Sequence, residues 1–136
     1  MNPKEELSQY KFKIKKVSEA LEEYERFKER AEKITAIISD NPAHSNKISD
    51  KVGDNASKMA DLNREYQDRW LEAERERLTI VTKINAIVEP YRTILMERYV
   101  HDKSFEQIAC EIGYSYDRTI HLHGEALQEF EKVSIL

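Results

Sequence analysis

From the start of the chain, apolar residues recur at alternating three- and four-residue steps: Leu7, Tyr10, Ile14, Val17, Leu21 and Tyr24. The series continues with weaker members at Lys28, Ala31, Thr35 and Ile38, which makes it a heptad seam. Asn2-Pro3 supplies a cap residue and a first-turn proline, and Glu5 adds an acidic residue where the helix dipole favours one. Between seam positions lie Glu22, Glu23, Glu25, Arg26, Glu29, Arg30, Glu32 and Lys33, a solvated face of mixed sign. Turn formers and a proline gather at Asp40-Asn41-Pro42-Ala43-His44-Ser45-Asn46, so a first helix of roughly 50 Å, at about 1.5 Å per residue, must end there. A second helix is expected from Ser49 or Asp50 to Val88. Its stripe is Val52, Ala56, Met59, Leu62, Tyr66, Trp70, Ala73, Ile80, Ile84 and Ile87. Two long helices with apolar stripes fold most economically as an antiparallel hairpin, a coiled coil. The core of a hairpin is thin, so Phe12, Phe27 and Trp70 are left for a partner or a second copy of the chain.

The pattern changes at Glu89-Pro90, because proline lacks the amide hydrogen that continues a helix but is well placed to begin one. A third helix is expected from Pro90 to Tyr99, then a connection over Val100-His101-Asp102-Lys103. Ser104 with Gln107 reads as a capping box for a short fourth helix, Phe105 to Ile112. Gly113 closes that helix by accepting a positive φ, and Ser115 caps a fifth that reaches Phe130. This is the spacing of a helix-turn-helix. The chain therefore reads as all-α, with a helical hairpin over residues 1–88 and a three-helix helix-turn-helix domain over 89–136.

Within that unit, Phe105, Ile108, Ala109 and Ile112 form the inner face of the supporting helix. Thr119, Leu122, Ala126 and Phe130 form that of the second helix. Tyr116, Asp117, Arg118, Ile120 and His121 then point outward near its N-terminus, where such folds present side chains to base edges. His121 and His123 lie about 200° apart around the helix, so they cannot share one metal.

Arg92 to Leu127 reads RTILMERYVHDKSFEQIACEIGYSYDRTIHLHGEAL, about a quarter of the chain, and resembles sigma-70 region 4. The resemblance rests on the helix ending in Glu97-Arg98-Tyr99, the run Ser104-Phe105-Glu106-Gln107-Ile108-Ala109, Ile112-Gly113-Tyr114-Ser115, and the closing Ala126-Leu127. With a coiled-coil front half, Asp50-Lys51-Val52-Gly53-Asp54, and Gly113-Tyr114-Ser115-Tyr116, the whole chain looks like small proteins of Gram-positive phages. These are grouped with the RinA and ArpU late-transcription activators. The resemblance implies that Tyr116, Asp117, Ile120 and His121 face the major groove of a promoter −35 element, and that Arg118 and Lys103 meet phosphates. The chain departs from the family at Ile120, Gly124, Glu125, Gln128 and Glu129, where sigma factors usually carry basic residues. Arg118 is left as the arginine on this face able to pair with guanine.

Composition narrows the function. The 136 residues hold only three Gly and three Pro, and a single cysteine, Cys110, which can neither form an internal disulfide nor anchor a zinc ribbon. Net charge is −4, and all of it falls in Glu89 to Leu136, since Met1 to Val88 is balanced. That acidity opposes phosphate binding. Tyr10, Tyr24, Tyr66 and Trp70 stand at seam spacing and read as core. Adjacent carboxylates such as Glu22 and Glu23 point apart on a helix and offer no acid/base pair. With Gly53, Gly113 and Gly124 as the chain's glycines, no phosphate loop can be built. Neither an enzyme nor a cofactor is expected, and with no apolar span or signal segment the expected location is the cytoplasm.

The expected function is phage or prophage transcription regulation. Double-stranded DNA would be bound through Ser115 to His123, and the hairpin would form a homodimer or touch RNA polymerase. Two other functions fit the same features. One is an interaction protein that binds polymerase or a sigma factor without reading DNA; the other is a small terminase subunit that oligomerises through its coiled coil.

Overall fold

The structure is a computed structural model that describes residues 2–39 and 45–135. It is all-helical, with no strand among the described residues. The helices are α1 (Pro3–Ser39), α2 (Ser45–Asn85), α3 (Tyr91–Leu95), α4 (Phe105–Ile112) and α5 (Tyr116–Ile135); α3 runs on into a π-helical turn, Met96–Val100. None of these helices is long and apolar enough to cross a membrane. Residues 40–44 of the expected turn lie outside the described residues.

Local chemistry accounts for the helix ends. The Glu5 amide donates to Asn2 Oδ1 at 2.8 Å, and the Asn2 amide donates to the Glu5 carboxylate at 3.4 Å, so α1 opens on a reciprocal cap. α2 begins at Ser45, ahead of the expected Ser49 or Asp50, and passes straight through Gly53. A lone helical glycine costs only about 1 kcal/mol against alanine. α2 stops at Asn85 rather than Val88, and its last turn tightens: the Ala86 and Ile87 amides donate three residues back, to the Lys83 and Ile84 carbonyls. The residue before a proline is pushed out of the helical region, and Glu89 stands before Pro90.

Two compact units contain the described residues: Met1–Ile14 with Glu72–Leu136, and Lys15–Leu71. In the first, Leu7, Ile80, Ile84, Ile87, Leu95, Ala126 and Phe130 form one buried cluster. Tyr10, Met96, Tyr99, Val100 and Val133 pack around it. A second cluster joins Ile94, Ile108 and Leu122, flanked by Phe105 and Ile112. Lys13 pairs with Glu76 at 3.2 Å and with Glu72 at 3.6 Å, and Lys83 pairs with Glu6, so α1 and α2 run in opposite directions within this unit.

The expected third helix differs in its second half. There the His101 amide donates to the Met96 carbonyl at 3.1 Å, five residues back. The wider turn sets Met96, Tyr99 and Val100 against the buried cluster. Asp102 follows with φ of 54°, a left-handed conformation that aspartate tolerates better than most side chains. α5 extends past Phe130 to Ile135 because Val133 still finds the core.

The second unit is built from the remainder of α1 and α2. Ala20 and Ala31 are buried there, and Ala31 and Thr35 share a groove with Val52, Ala56 and Met59. Phe27 takes the place on the seam that spacing assigned to Lys28: the Phe27 ring is half-buried with the Lys58 amine 5.1 Å from its centroid, and Lys28 is exposed. Burying an aromatic ring is worth far more than burying a lysine stem, so the stripe shifts by one residue. Phe27 is thus not left outward. Trp70, at 47% exposure, is; in the first unit so is Phe12, at 67%.

Candidate nucleic-acid interface

The stretch from Ser104 to His123 is positioned by short-range bonds. The Gln107 amide donates to Ser104 Oγ at 3.2 Å, and the Ser104 amide donates to Gln107 Oε1 at 3.0 Å, the full capping box. At the other end of α4, Gly113 has φ of 76°, and its amide and that of Tyr114 both donate to the Ala109 carbonyl. This left-handed closure is open to glycine at no steric cost and lets α5 start three residues later. Ser115 caps α5: its Oγ accepts from the Arg118 amide at 3.1 Å, and its carbonyl accepts from Thr119 Oγ1 at 2.9 Å. Thr119, Leu122, Ala126 and Phe130 are all buried, and Ile108 and Ala109 are buried opposite them on α4.

With those positions turned inward, Tyr116, Asp117, Arg118, Ile120 and His121 are exposed together on the first turns of α5. Tyr116 is 48% and Ile120 37% exposed, so both present part of their apolar surface to solvent. Arg118 has no ion-pair partner among the described residues. His121 Nε2 lies 3.1 Å from Glu125 Oε1, and the other Glu125 oxygen accepts from the Tyr91 hydroxyl at 2.8 Å, which holds the tyrosine above its ordinary pKa. Glu125 thereby anchors one edge of the face to α3.

Lys103 stands apart from this group. Its ammonium lies 2.8 Å from Glu111 and 2.5 Å from Glu97. The bonds to Glu111 and Glu97 raise the lysine pKa, and the lysine is the main cause of a lowered Glu97 pKa. To meet a phosphate, Lys103 must give up two carboxylates. The structure therefore brings Ser115, Tyr116, Asp117, Arg118, Ile120 and His121 onto one short stretch of α5, and holds Lys103 in a separate cluster.

One site in the same unit escaped sequence reasoning. His123 is buried, its Nε2 is 2.7 Å from the Tyr99 hydroxyl, and its ring meets the edge of Phe105 at 4.8 Å between centroids. Burial, with smaller contributions from Arg98 and Lys4, pushes its pKa from 6.5 down to about 4. The neutral ring is favoured in the folded protein. Between pH 6.5 and about 4 the unfolded chain binds this proton and the folded chain does not, so stability falls as pH falls through that window. Urea midpoints measured from pH 7 to pH 4 should drop less steeply in His123→Gln than in the parent; equal slopes would mean that His123 titrates normally. Only the alternation of inward and outward positions on α5 signalled that His123 and His121 part company.

Among the described residues, no three His, Cys, Asp or Glu side chains come together as a metal site, and Cys110 is exposed. No protein-family model, no curated protein and no solved structure matches the chain.

Proposed function

We propose that the protein regulates transcription by binding double-stranded DNA. In this reading α4 and α5 are the two helices of a helix-turn-helix of the sigma-70 region 4 type, and α1 and α2 form an antiparallel hairpin. The observation that carries it is the exposed start of α5. A capped, glycine-closed α4 and a buried Thr119–Leu122 face leave Tyr116, Asp117, Arg118, Ile120 and His121 together in solvent. A helix N-terminus presented in this way fits the major groove. Arg118 supplies a bidentate guanine or phosphate contact, Tyr116 and Ile120 supply apolar contact to thymine methyl groups, and Ser115 keeps the first turn intact.

The test is a titration of fluorescent DNA from the genomic neighbourhood, at low and physiological salt, with and without RNA polymerase. Sequence-selective, salt-sensitive binding by the protein alone is the expected result. Replacing Tyr116, Arg118 and His121 together with alanine should weaken it at least about tenfold, the scale of one lost bidentate contact, with helicity unchanged by circular dichroism. Equal affinity in the triple variant removes this face from the function.

A second reading draws on the acidity of residues 89–136 and on the capture of Lys103 by Glu97 and Glu111. With Arg118 as the unpaired cation on the α5 face, the same fold serves to bind RNA polymerase or a sigma factor without reading DNA. Co-purification with polymerase that survives nuclease treatment, with no DNA shifted by the protein alone, would favour it. A homodimer through the N-terminal helices accords with the exposed Trp70 and Leu71 in either reading.

A further inference from the structure

Beneath the π-helical turn, α1, α5 and the loop before α4 line a cleft of about 150 Å³ that opens to solvent at Lys4, Lys11 and Asp102, all within the first unit. Drug-sized ligands occupy roughly 300–1,000 Å³, so this smaller space suits a small ion with a few waters. Three cations line it, Lys4, Lys11 and Arg98, against one carboxylate, Asp102. Lys11 already pairs with that carboxylate at 3.2 Å. Lys4 and Arg98 have no carboxylate partner among the described residues, although Arg98 stands in the acidic segment 89–136.

Arg98 is held in place by uncharged groups. Its guanidinium lies over the Phe105 ring, 4.3 Å from the centroid, and Nη1 donates to the Lys103 carbonyl at 3.0 Å. Its other side-chain N–H groups donate to no protein acceptor among the described residues. Such a fixed fork is the geometry that recognises phosphate oxygens in pairs. Ser8 adds a hydroxyl to the lining, and His123 with Tyr99 completes the wall.

We propose that this cleft is an oxyanion site that takes a phosphate group, held by Arg98 and Lys4. The phosphate is either a backbone phosphodiester of bound DNA or a free inorganic phosphate ion; the recognising chemistry is the same. The free-ion case stands without the proposed function, and the DNA case rests on it.

His123 provides the internal reporter. The charged groups that face it are Lys4 and Lys11 from α1, Arg98 from the π turn and Asp102 from the loop, with the Tyr99 hydroxyl hydrogen-bonded to its ring. A phosphate between Lys4 and Arg98 offsets the two charges that oppose protonation, so its binding must raise the His123 pKa.

The experiment follows the His123 ring resonances of the full chain by NMR while inorganic phosphate replaces chloride at constant ionic strength. Saturable shifts, a raised His123 pKa, and affinity reduced at least tenfold in Lys4→Gln and Arg98→Gln are the expected result. In parallel, the salt dependence of DNA binding is compared between the parent and Lys4→Gln, an exposed position where the change leaves the fold intact. A log–log slope smaller by about one in the variant assigns the site to a DNA phosphate. An unchanged slope with saturable phosphate binding assigns it to the free ion. A chain that binds phosphate but no DNA sinks the proposed function and leaves this site standing. Phosphate shifts no larger than those of chloride, together with an unchanged slope or no DNA binding, overturn the proposal.

Discussion

Replacing Phe130 with alanine should lower the unfolding free energy by about 3–5 kcal/mol, the usual loss for a buried aromatic ring. Phe130 is fully buried in the cluster that Leu7, Ile80, Ile84, Ile87, Leu95 and Ala126 complete, with Lys83 placed 5.7 Å from its ring centroid. Those neighbours come from α1, α2, α3 and α5 and the segment after α2, so no single side chain can shift to fill the space. The cavity term then adds to the lost transfer energy. Total stabilities run at about 5–15 kcal/mol, so the variant should sit near the edge of folding at 37 °C. Urea denaturation read by circular dichroism measures the loss as a lower midpoint at constant slope. A loss under about 1 kcal/mol would mean that the ring is not enclosed.

The second large effect is expected from Leu7→Ala, at about 2–5 kcal/mol. Leu7 reads as an ordinary seam residue near the start of a coiled coil, where fraying should make a substitution cheap. It is instead fully buried among Ile80, Ile84 and Phe130. A control on the same helix separates the two situations: Phe12 is largely exposed, and Phe12→Ala should change stability by no more than about 0.5 kcal/mol. Leu7 and Phe130 share one cluster, so the double variant should lose less than the two single losses added together. Full additivity, or a Leu7→Ala loss as small as that of Phe12→Ala, would detach the first turns of α1 from the core.

These substitutions also bear on the proposed interface. The face formed by Tyr116, Arg118 and His121 begins about four turns before Phe130 on the same helix, and Thr119, Leu122 and Ala126 seat that helix against α3 and α4. Loss of the core beneath α5 should therefore weaken DNA binding in step with stability. The triple surface variant should weaken it with stability unchanged. The contrast keeps a folding defect from passing as a binding defect.

What the sequence determined by itself is what neighbouring residues settle between them. The Ser104–Gln107 box, the Gly113 turn, the Ser115 cap and the inward set Thr119, Leu122, Ala126 and Phe130 all depend on spacings of three or four residues, and all stand where spacing put them. Helical content followed for the same reason, with few glycines and prolines to interrupt it. The outward set on α5 was legible as the complement of the inward one. Tertiary structure decided the rest, wherever groups distant in sequence compete for one place. Phe27 displaced Lys28 from the seam because the ring gains more from burial. The third helix widened into a π turn, and Met96, Tyr99 and Val100 there pack on the cluster that contains Leu7 and Phe130. Lys103 was claimed by Glu97 and Glu111. Lys4, Arg98 and His123 were brought around one cleft from three separate elements. Helix periodicity reports which side of a helix turns inward, but only packing chooses what it meets there, because long-range contacts leave no fixed spacing in the chain.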